Sequence, residues 1–344
     1  MSGIATIIEG RTRDLGGFSV ARLLPSPTMR HVGPIVFFDL MGPATLAPGQ
    51  GIDVRPHPHI GLATVTYLFA GEIVHRDSLG FVQPIEPGAI NWMTAGRGIA
   101  HSERTGASLR AAGSQLHGLQ LWVALPQAHE ETAPDFQHHP AATLPVVDVD
   151  GVHLRILVGS AYGVVSPVET LSPLIYVEAR LPEGADLELP SEPAERAAFV
   201  VSGSVRCDDR SVGAARMIVF EPGSTPVLHA ESDTRLMLLG GAALDGERHL
   251  WWNFVSCSPE RIERAKRDWA EGRFTPCPAR PNSFRCRTSE ADGVPQGNSP
   301  ETLGQKRLSP PSQRAQGAAA FSRRRVSPIF STSNCAGVSP RSDR

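Results

Sequence analysis

Histidine spacing carries the strongest chemical signal in this sequence. Pro56-His57-Pro58-His59 sets two imidazoles two residues apart. The stretch is extended, because a residue before proline is steered toward β or polyproline geometry. Side chains alternate along a strand, so His57 and His59 aim into one space. Further on, His101-Ser102-Glu103 repeats the spacing with an imidazole and a carboxylate. If these two strands face each other across a barrel, three neutral nitrogens and one carboxylate converge. That donor set suits a borderline divalent metal such as iron and is too rich in nitrogen for calcium or magnesium. Four ligands on an octahedral ion leave two positions for water, oxygen or a chelating substrate.

A lone His-x-His is common, and His138-His139 is read as a solvated pair in a connecting segment. Glycine placement strengthens the other two pairs. Gly51 and Gly71 bracket the first, and Gly96 and Gly98 precede the second, where backbone must bend beside a site.

Short strands must position these groups. Apolar or alternating runs recur at Ile35 to Leu40, Ala63 to Phe69, Leu119 to Leu125, Val152 to Val158, Ile175 to Ala179, Ala197 to Val201 and Leu236 to Leu239. Turn residues separate them, among them Gly71-Glu72, Glu86-Pro87-Gly88, Pro182-Glu183-Gly184 and Glu221-Pro222-Gly223. One helix is expected from about Pro259 to Glu271, N-capped by Ser258, with Ile262, Ala265 and Trp269 at helical spacing. A repeat is visible. Phe69-Ala70-Gly71-Glu72 precedes Glu86-Pro87-Gly88, and Val201-Ser202-Gly203-Ser204 precedes Glu221-Pro222-Gly223. Two copies of one small barrel account for it.

At 344 residues the chain exceeds one ordinary domain, and its 41% hydrophobic content supplies a core. The expected fold is all-β: two antiparallel barrels and a short C-terminal helix. The expected units are residues 1–130, a metal-binding barrel; 131–258, a barrel without metal; and 259–276, the helix. The start, Met1-Ser2-Gly3-Ile4-Ala5, lacks the pattern of a secretory signal, and no run is long and apolar enough to span a membrane. Five scattered cysteines fit a reducing interior, so a cytoplasmic protein is expected. Oligomeric state is left open, a monomer being sufficient.

The charge is uneven. Residues 277–344 hold 11 Lys and Arg against 4 Asp and Glu, a net of +7, which leaves −9 for residues 1–276. That negative body argues against direct nucleic-acid binding, since phosphate attraction needs the opposite sign. The Ser-, Pro- and Arg-rich tail cannot bury enough surface to offset its ordering entropy and is read as disordered.

In these residues the chain resembles the cupin barrels, Gly51 to Gly71 matching their first motif. It is closely similar to the pirins in His57-Pro58-His59-Ile60-Gly61, Thr64 to Leu68, His75-Arg76-Asp77-Ser78, Trp92 to Glu103, and His249 to Val255. The resemblance spans nearly all of residues 1–276. It implies a bicupin of two facing jelly-roll barrels with one metal in the first, held by His57, His59, His101 and Glu103. Fe(II) is the expected ion, with Mn, Ni, Cu and Zn as alternatives. The chain departs from many relatives in reading Gly61-Leu62-Ala63-Thr64 after His59, with no carboxylate, so Glu103 is the single acidic ligand expected. The second barrel offers His229 without a matching pair, and His229 is read as a surface or packing residue.

Resemblance to quercetinase-active bacterial pirins implies a reaction in which O2 cleaves the heterocycle of a flavonol with loss of carbon monoxide. The flavonol supplies all the electrons, so no cofactor beyond the metal is needed. Glu103 is then the catalytic group that takes the flavonol proton. Ile60, Leu62, Phe69, Trp92 and Met93 are candidates for the pocket wall, each read first as ordinary core. The pirin resemblance also carries an alternative: an iron-dependent, redox-sensing regulator that binds a protein partner, transcriptional or metabolic. Bacterial pirins of this kind end soon after the helix on a stretch like Glu-Phe-Ile-Pro-Leu-Pro-Glu. Here that place reads Pro281 to Thr288, and a frame slip between about Arg273 and Pro281 is the expected origin of the tail, with a genuine flexible basic extension as the alternative.

Overall fold

A computed structural model describes residues 3–14 and 18–277, together with the backbone of residues 306–308. Apart from those three and Cys277, the segment 277–344 and both readings of its origin lie outside the described residues.

Strands dominate, as the short alternating runs require. In chain order they begin with β1 (Ile4–Glu9), β2 (Arg11–Asp14), β3 (Ser19–Leu24), β4 (Ile35–Leu46), β5 (Asp53–His59) and β6 (Leu62–Ala70). They continue with β7 (Ile73–Asp77), β8 (Val82–Ile85), β9 (Ile90–Thr94), β10 (Ile99–Arg104), β11 (Ser114–Ala124) and β12 (Asp135–His139). A short helix, α1 (Ala107–Ala112), links β10 to β11. The first barrel closes a seven-stranded sheet, in the order β12-β9-β6-β11-β4-β3-β2, over a four-stranded sheet, β5-β10-β7-β8.

The second half repeats the plan. It comprises β13 (Val146–Val149), β14 (Val152–Val158), the two-residue β15 (Ser160–Ala161) and β16 (Val164–Val165), β17 (Leu174–Leu181), β18 (Asp186–Glu188) and β19 (Glu195–Ser202). After these come β20 (Ser204–Cys207), β21 (Arg210–Gly213), β22 (Arg216–Phe220), β23 (Val227–Ala230) and β24 (Thr234–Gly241). The sheets run β1-β22-β19-β24-β17-β14-β13 and β18-β23-β20-β21. Seven over four recurs strand for strand, which is the structural form of the repeat seen in the sequence. Gly71 and Gly203, at φ +88° and +81°, turn the corresponding hairpins in a region that favours glycine.

Each barrel borrows its outermost strand. β1, at the start of the chain, pairs with β22 of the second barrel, from Ile4↔Phe220 to Glu9↔Arg216. β12 follows β11 and pairs with β9 of the first, from Asp135↔Thr94 to His139↔Ile90. The spans 1–130 and 131–258 therefore place both strands differently from the structure. The reason lies in the sheet order: β12 and β1 hold the equivalent outer places beside β9 and β22, and each pairs backbone groups its neighbour would otherwise expose. Consequently His138 is not a solvated linker residue. It lies in β12, half-buried, with Nδ1 2.7 Å from Asn91 Oδ1.

Alternation along the large sheets divides two interiors. From β6, Ala63, Val65 and Tyr67 enter the core between the barrels, with Phe38, Leu119, Leu121, Tyr176, Phe199 and Leu239. The intervening Leu62, Thr64, Thr66 and Leu68 are also buried, and Leu62 and Leu68 belong to separate clusters inside the first barrel. Each such aliphatic or aromatic side chain contributes roughly 1.5–3 kcal/mol on burial. Beyond the second barrel the chain returns to the first. β25 (Arg248–Trp251) and β26 (Phe254–Ser256) form a hairpin, and α2 (Pro259–Ala270) follows. Ser258 Oγ accepts from Arg261 N at 3.1 Å, which caps α2 as its sequence requires. Ile262 and Ala265 pack with Phe254 against Ile60, the residue after His59. Among the described residues no helix is long and apolar enough to cross a membrane.

Candidate metal centre

The strands expected to face each other across the barrel are hydrogen-bonded neighbours in the small sheet. β5 and β10 run antiparallel with His57 opposite His101 and His59 opposite Ile99. Adjacent strands bring side chains on one face within about 5 Å, closer than a barrel diameter allows. The ring centroids stand 4.4 Å (His57–His101), 4.9 Å (His57–His59) and 5.0 Å (His59–His101) apart. One nitrogen from each of the three rings lies within 4.8 Å of the other two.

Backbone carbonyls set which nitrogen is bare. The His57 Nδ1–H donates to Arg55 O at 2.8 Å and the His59 Nδ1–H to Asn253 O at 3.1 Å. A carbonyl only accepts, so each ring holds its proton on Nδ1 and leaves a lone pair on Nε2. His59 Nε2 and His101 Nε2 are 3.1 Å apart. Two nitrogens at right angles on one ion, each about 2.1 Å from it, stand about 3 Å apart. Imidazoles so arranged fit a borderline divalent metal.

Glu103 lies outside this trio. A register shift against β5 between His101 and Glu103 brings Glu103 opposite Val54, while against β7 the register is unbroken and Glu103 faces His75. Thr66 reaches Glu103 from the large sheet, its Oγ1 3.2 Å from Glu103 Oε1 and 3.0 Å from Gln120 Oε1, so its single hydroxyl proton is shared between the two acceptors. Burial raises the Glu103 pKa, against the weaker opposing effects of His75 and of the Thr66 hydrogen bond. A raised carboxylate is a better proton acceptor than an exposed one.

Of the five side chains considered for a pocket wall, Leu62 and Met93 pack with Phe37 and Trp122 at this end of the barrel. The Trp122 ring meets His59 edge-on at 5.3 Å. Trp92, one residue from Met93, turns to the other face of β9 and joins the core between the barrels, with Phe69 against it. Ile60 belongs to the α2 cluster. His229 is tied to Asp186 Oδ1 at 2.8 Å on the second barrel.

Other members of the site have no role in the spacing argument. His75 is buried, stacks on Phe136 at 4.4 Å and 11°, and sits 2.9 Å from Asp77 Oδ2. The signal was present in His75-Arg76-Asp77, which repeats the two-residue step of the other pairs. Asn253 and Arg55 act through backbone oxygens, which no residue type announces.

Burial is the chief cause of depressed basicity in the three rings. With the Arg55 carbonyl opposing and His75 adding a smaller push downward, it leaves His57 at about 4. His59 and His101 also lie well below 6.5, first from burial and then from neighbouring imidazoles. The rings are therefore neutral ligands near pH 7. Unfolding restores the ordinary value of 6.5, so between that pH and about 4 the unfolded chain binds more protons. Stability of the metal-free protein should fall as pH drops through that window, by up to about 1.4 kcal/mol per pH unit for each ring. Glu103, raised by burial, has the opposite sign and loses its contribution as pH rises through its folded value. Thermal melts of chelator-treated protein from about pH 7 to pH 5 check this; a flat midpoint would contradict buried neutral rings.

Two family models match the chain, Pirin over residues 17–123 and the Pirin C-terminal cupin domain over residues 176–275. A pirin-like protein of Caulobacter vibrioides is 49% identical over 274 residues, 79% of this chain and 94% of the relative. The crystal structure of a quercetin 2,3-dioxygenase from Acinetobacter baumannii is 33% identical with a TM-score of 0.73, and the match covers 81% of this chain and 97% of that one. A bacterial pirin from Escherichia coli, solved with nickel(II), is 19% identical with a TM-score of 0.55 over 70% of this chain and 99% of that one. At that identity it speaks to the fold alone.

Proposed function

The chain belongs to the pirin family, and on that premise we propose that it is a cytoplasmic non-haem iron dioxygenase that opens the heterocycle of a flavonol such as quercetin with O2. One observation carries the reading: three imidazoles, two buried and one half-buried, converge in the first barrel with one nitrogen from each within 4.8 Å of the other two. The 33% identity to a quercetin 2,3-dioxygenase supports the substrate class.

His57, His59 and His101 would hold Fe(II), with Glu103 as the proposed fourth ligand. When bound, iron supplies Lewis acidity and redox chemistry that the polypeptide lacks. The side chains do the rest. Glu103, made more basic by burial, takes the proton of the flavonol hydroxyl and so makes the substrate electron-rich. Thr66 holds that carboxylate in place. Trp122, packed with Phe37, Leu62 and Met93, sets an apolar edge against His59. One O2 is consumed for each carbon monoxide released, and the flavonol provides the electrons.

Oxygen uptake with quercetin by the iron-loaded chain tests this directly. Uptake with carbon monoxide release is expected, and His59→Ala should abolish both. A protein that holds stoichiometric iron yet leaves the oxygen trace unchanged would overturn the enzymatic reading in favour of partner binding.

A further inference from the structure

His101 differs from the other two imidazoles in what fixes its proton. His57 and His59 each face a carbonyl, which leaves no choice of tautomer. His101 Nδ1 instead faces His75 Nδ1 at 3.3 Å. An imidazole nitrogen donates or accepts, so this contact alone does not say whether His101 Nε2 is bare.

Asp77 resolves it. Its side chain is fully buried. Oδ1 accepts from the backbone N–H of Leu79 at 2.9 Å and of Phe81 at 3.2 Å, and Oδ2 lies 2.9 Å from His75 Nε2. A carboxylate accepts only, so a neutral His75 ring carries its proton on Nε2 and presents a bare Nδ1. His101 must then donate from Nδ1, which leaves Nε2 free toward His59. We propose that Asp77 and His75 form a relay that sets the tautomer of His101 and thereby bares its metal-binding nitrogen. Both are positioning residues, and neither touches the ion or the substrate. The inference rests on the metal-centre reading above. It extends the familiar carboxylate–histidine–metal arrangement by one imidazole.

The same geometry makes Asp77→Asn a reversal with little change of shape. The amide oxygen can keep the Leu79 and Phe81 hydrogen bonds, while the NH2 group takes the position of Oδ2. It would donate to His75 Nε2, move the His75 proton to Nδ1, and turn His101 around so that its proton blocks Nε2. His75→Phe keeps the stack on Phe136 but breaks the relay. His75→Gln, with one acceptor and one donor on a similar reach, restores it.

Titration of the metal-stripped full chain with Ni(II), in competition with a chromogenic chelator, reads the outcome. One ion per chain is expected for the parent. Asp77→Asn and His75→Phe should bind about 10–100-fold more weakly, and His75→Gln should stay close to the parent. NMR of labelled histidine ring nitrogens in the metal-free protein should show His101 protonated on Nδ1 in the parent and on Nε2 in Asp77→Asn. Packing alone predicts the reverse ranking, with Phe better tolerated than Gln on the Phe136 ring. Equal affinity for the parent and Asp77→Asn, or an unchanged tautomer, would overturn the relay. A parent that takes up no Ni(II) would instead overturn the metal centre itself.

Discussion

Glu103→Gln is expected to lower quercetin-dependent oxygen uptake by about 10²–10⁴-fold, the usual worth of a positioned proton acceptor. The substitution keeps an oxygen for the Thr66 hydrogen bond and a nearly identical volume, so the barrel should fold as before. What it removes is the negative charge and the basicity that burial confers. The three histidines, whose donor nitrogens lie within 4.8 Å of one another without Glu103, should still take up iron at stoichiometric concentration. Iron content and turnover measured on one preparation separate the two roles assigned to this carboxylate. Retained iron with lost turnover assigns it proton transfer, whereas loss of both makes it indispensable as a ligand. Unchanged turnover would remove Glu103 from the reaction altogether.

Arg248→Ala should destabilise the fold by about 3–5 kcal/mol, the cost of leaving a buried partner uncompensated. The Arg248 side chain is fully buried at the start of β25. Its Nε is 3.0 Å from Glu130 Oε1, and its Nη2 donates to Leu125 O at 2.9 Å and pairs with Asp245. Glu130 is 5% exposed and also accepts from Cys257 N and Ser256 Oγ on the other strand of the hairpin. Without the guanidinium this carboxylate stays out of water with its charge unmet. The damage should reach the metal centre, because the same hairpin carries Asn253, whose carbonyl orients His59. Thermal denaturation and Ni(II) affinity are the readouts. The double change Arg248→Met with Glu130→Gln should recover much of the stability, since removing both charges leaves neither stranded. A single variant that melts with the parent would show that the pair contributes little.

Some of this is legible in the sequence. The strand Val152–Val158 falls where its alternating residues end, and α2 begins at Ser258 and Pro259 because a cap and an N-terminal proline are local signals. The paired turns at Gly71 and Gly203 mark the repeat for the same reason: positive φ is a property of one residue and its neighbours. His57 and His59 could be selected as donors because a two-residue step puts side chains on one face whatever lies around the strand; the same step from His101 to Glu103 is interrupted by a register shift against β5.

Which strands meet is another matter. β5 and β10 being neighbours, β1 crossing to the second barrel, and which interior Trp92 and Met93 each enter all depend on how the sheets close. So do the partners of the imidazoles. Asn253 is distant from His59 in the chain and contributes an oxygen that every residue possesses; His75 gains its place beside His101 only through the β7–β10 pairing. The order of residues determined the ligand types, their faces and the turns, because those follow from torsions and alternation within a few residues. Tertiary structure decided register, sheet neighbours and proton positions, because these arise from contacts between backbone segments that carry no signature in either segment alone.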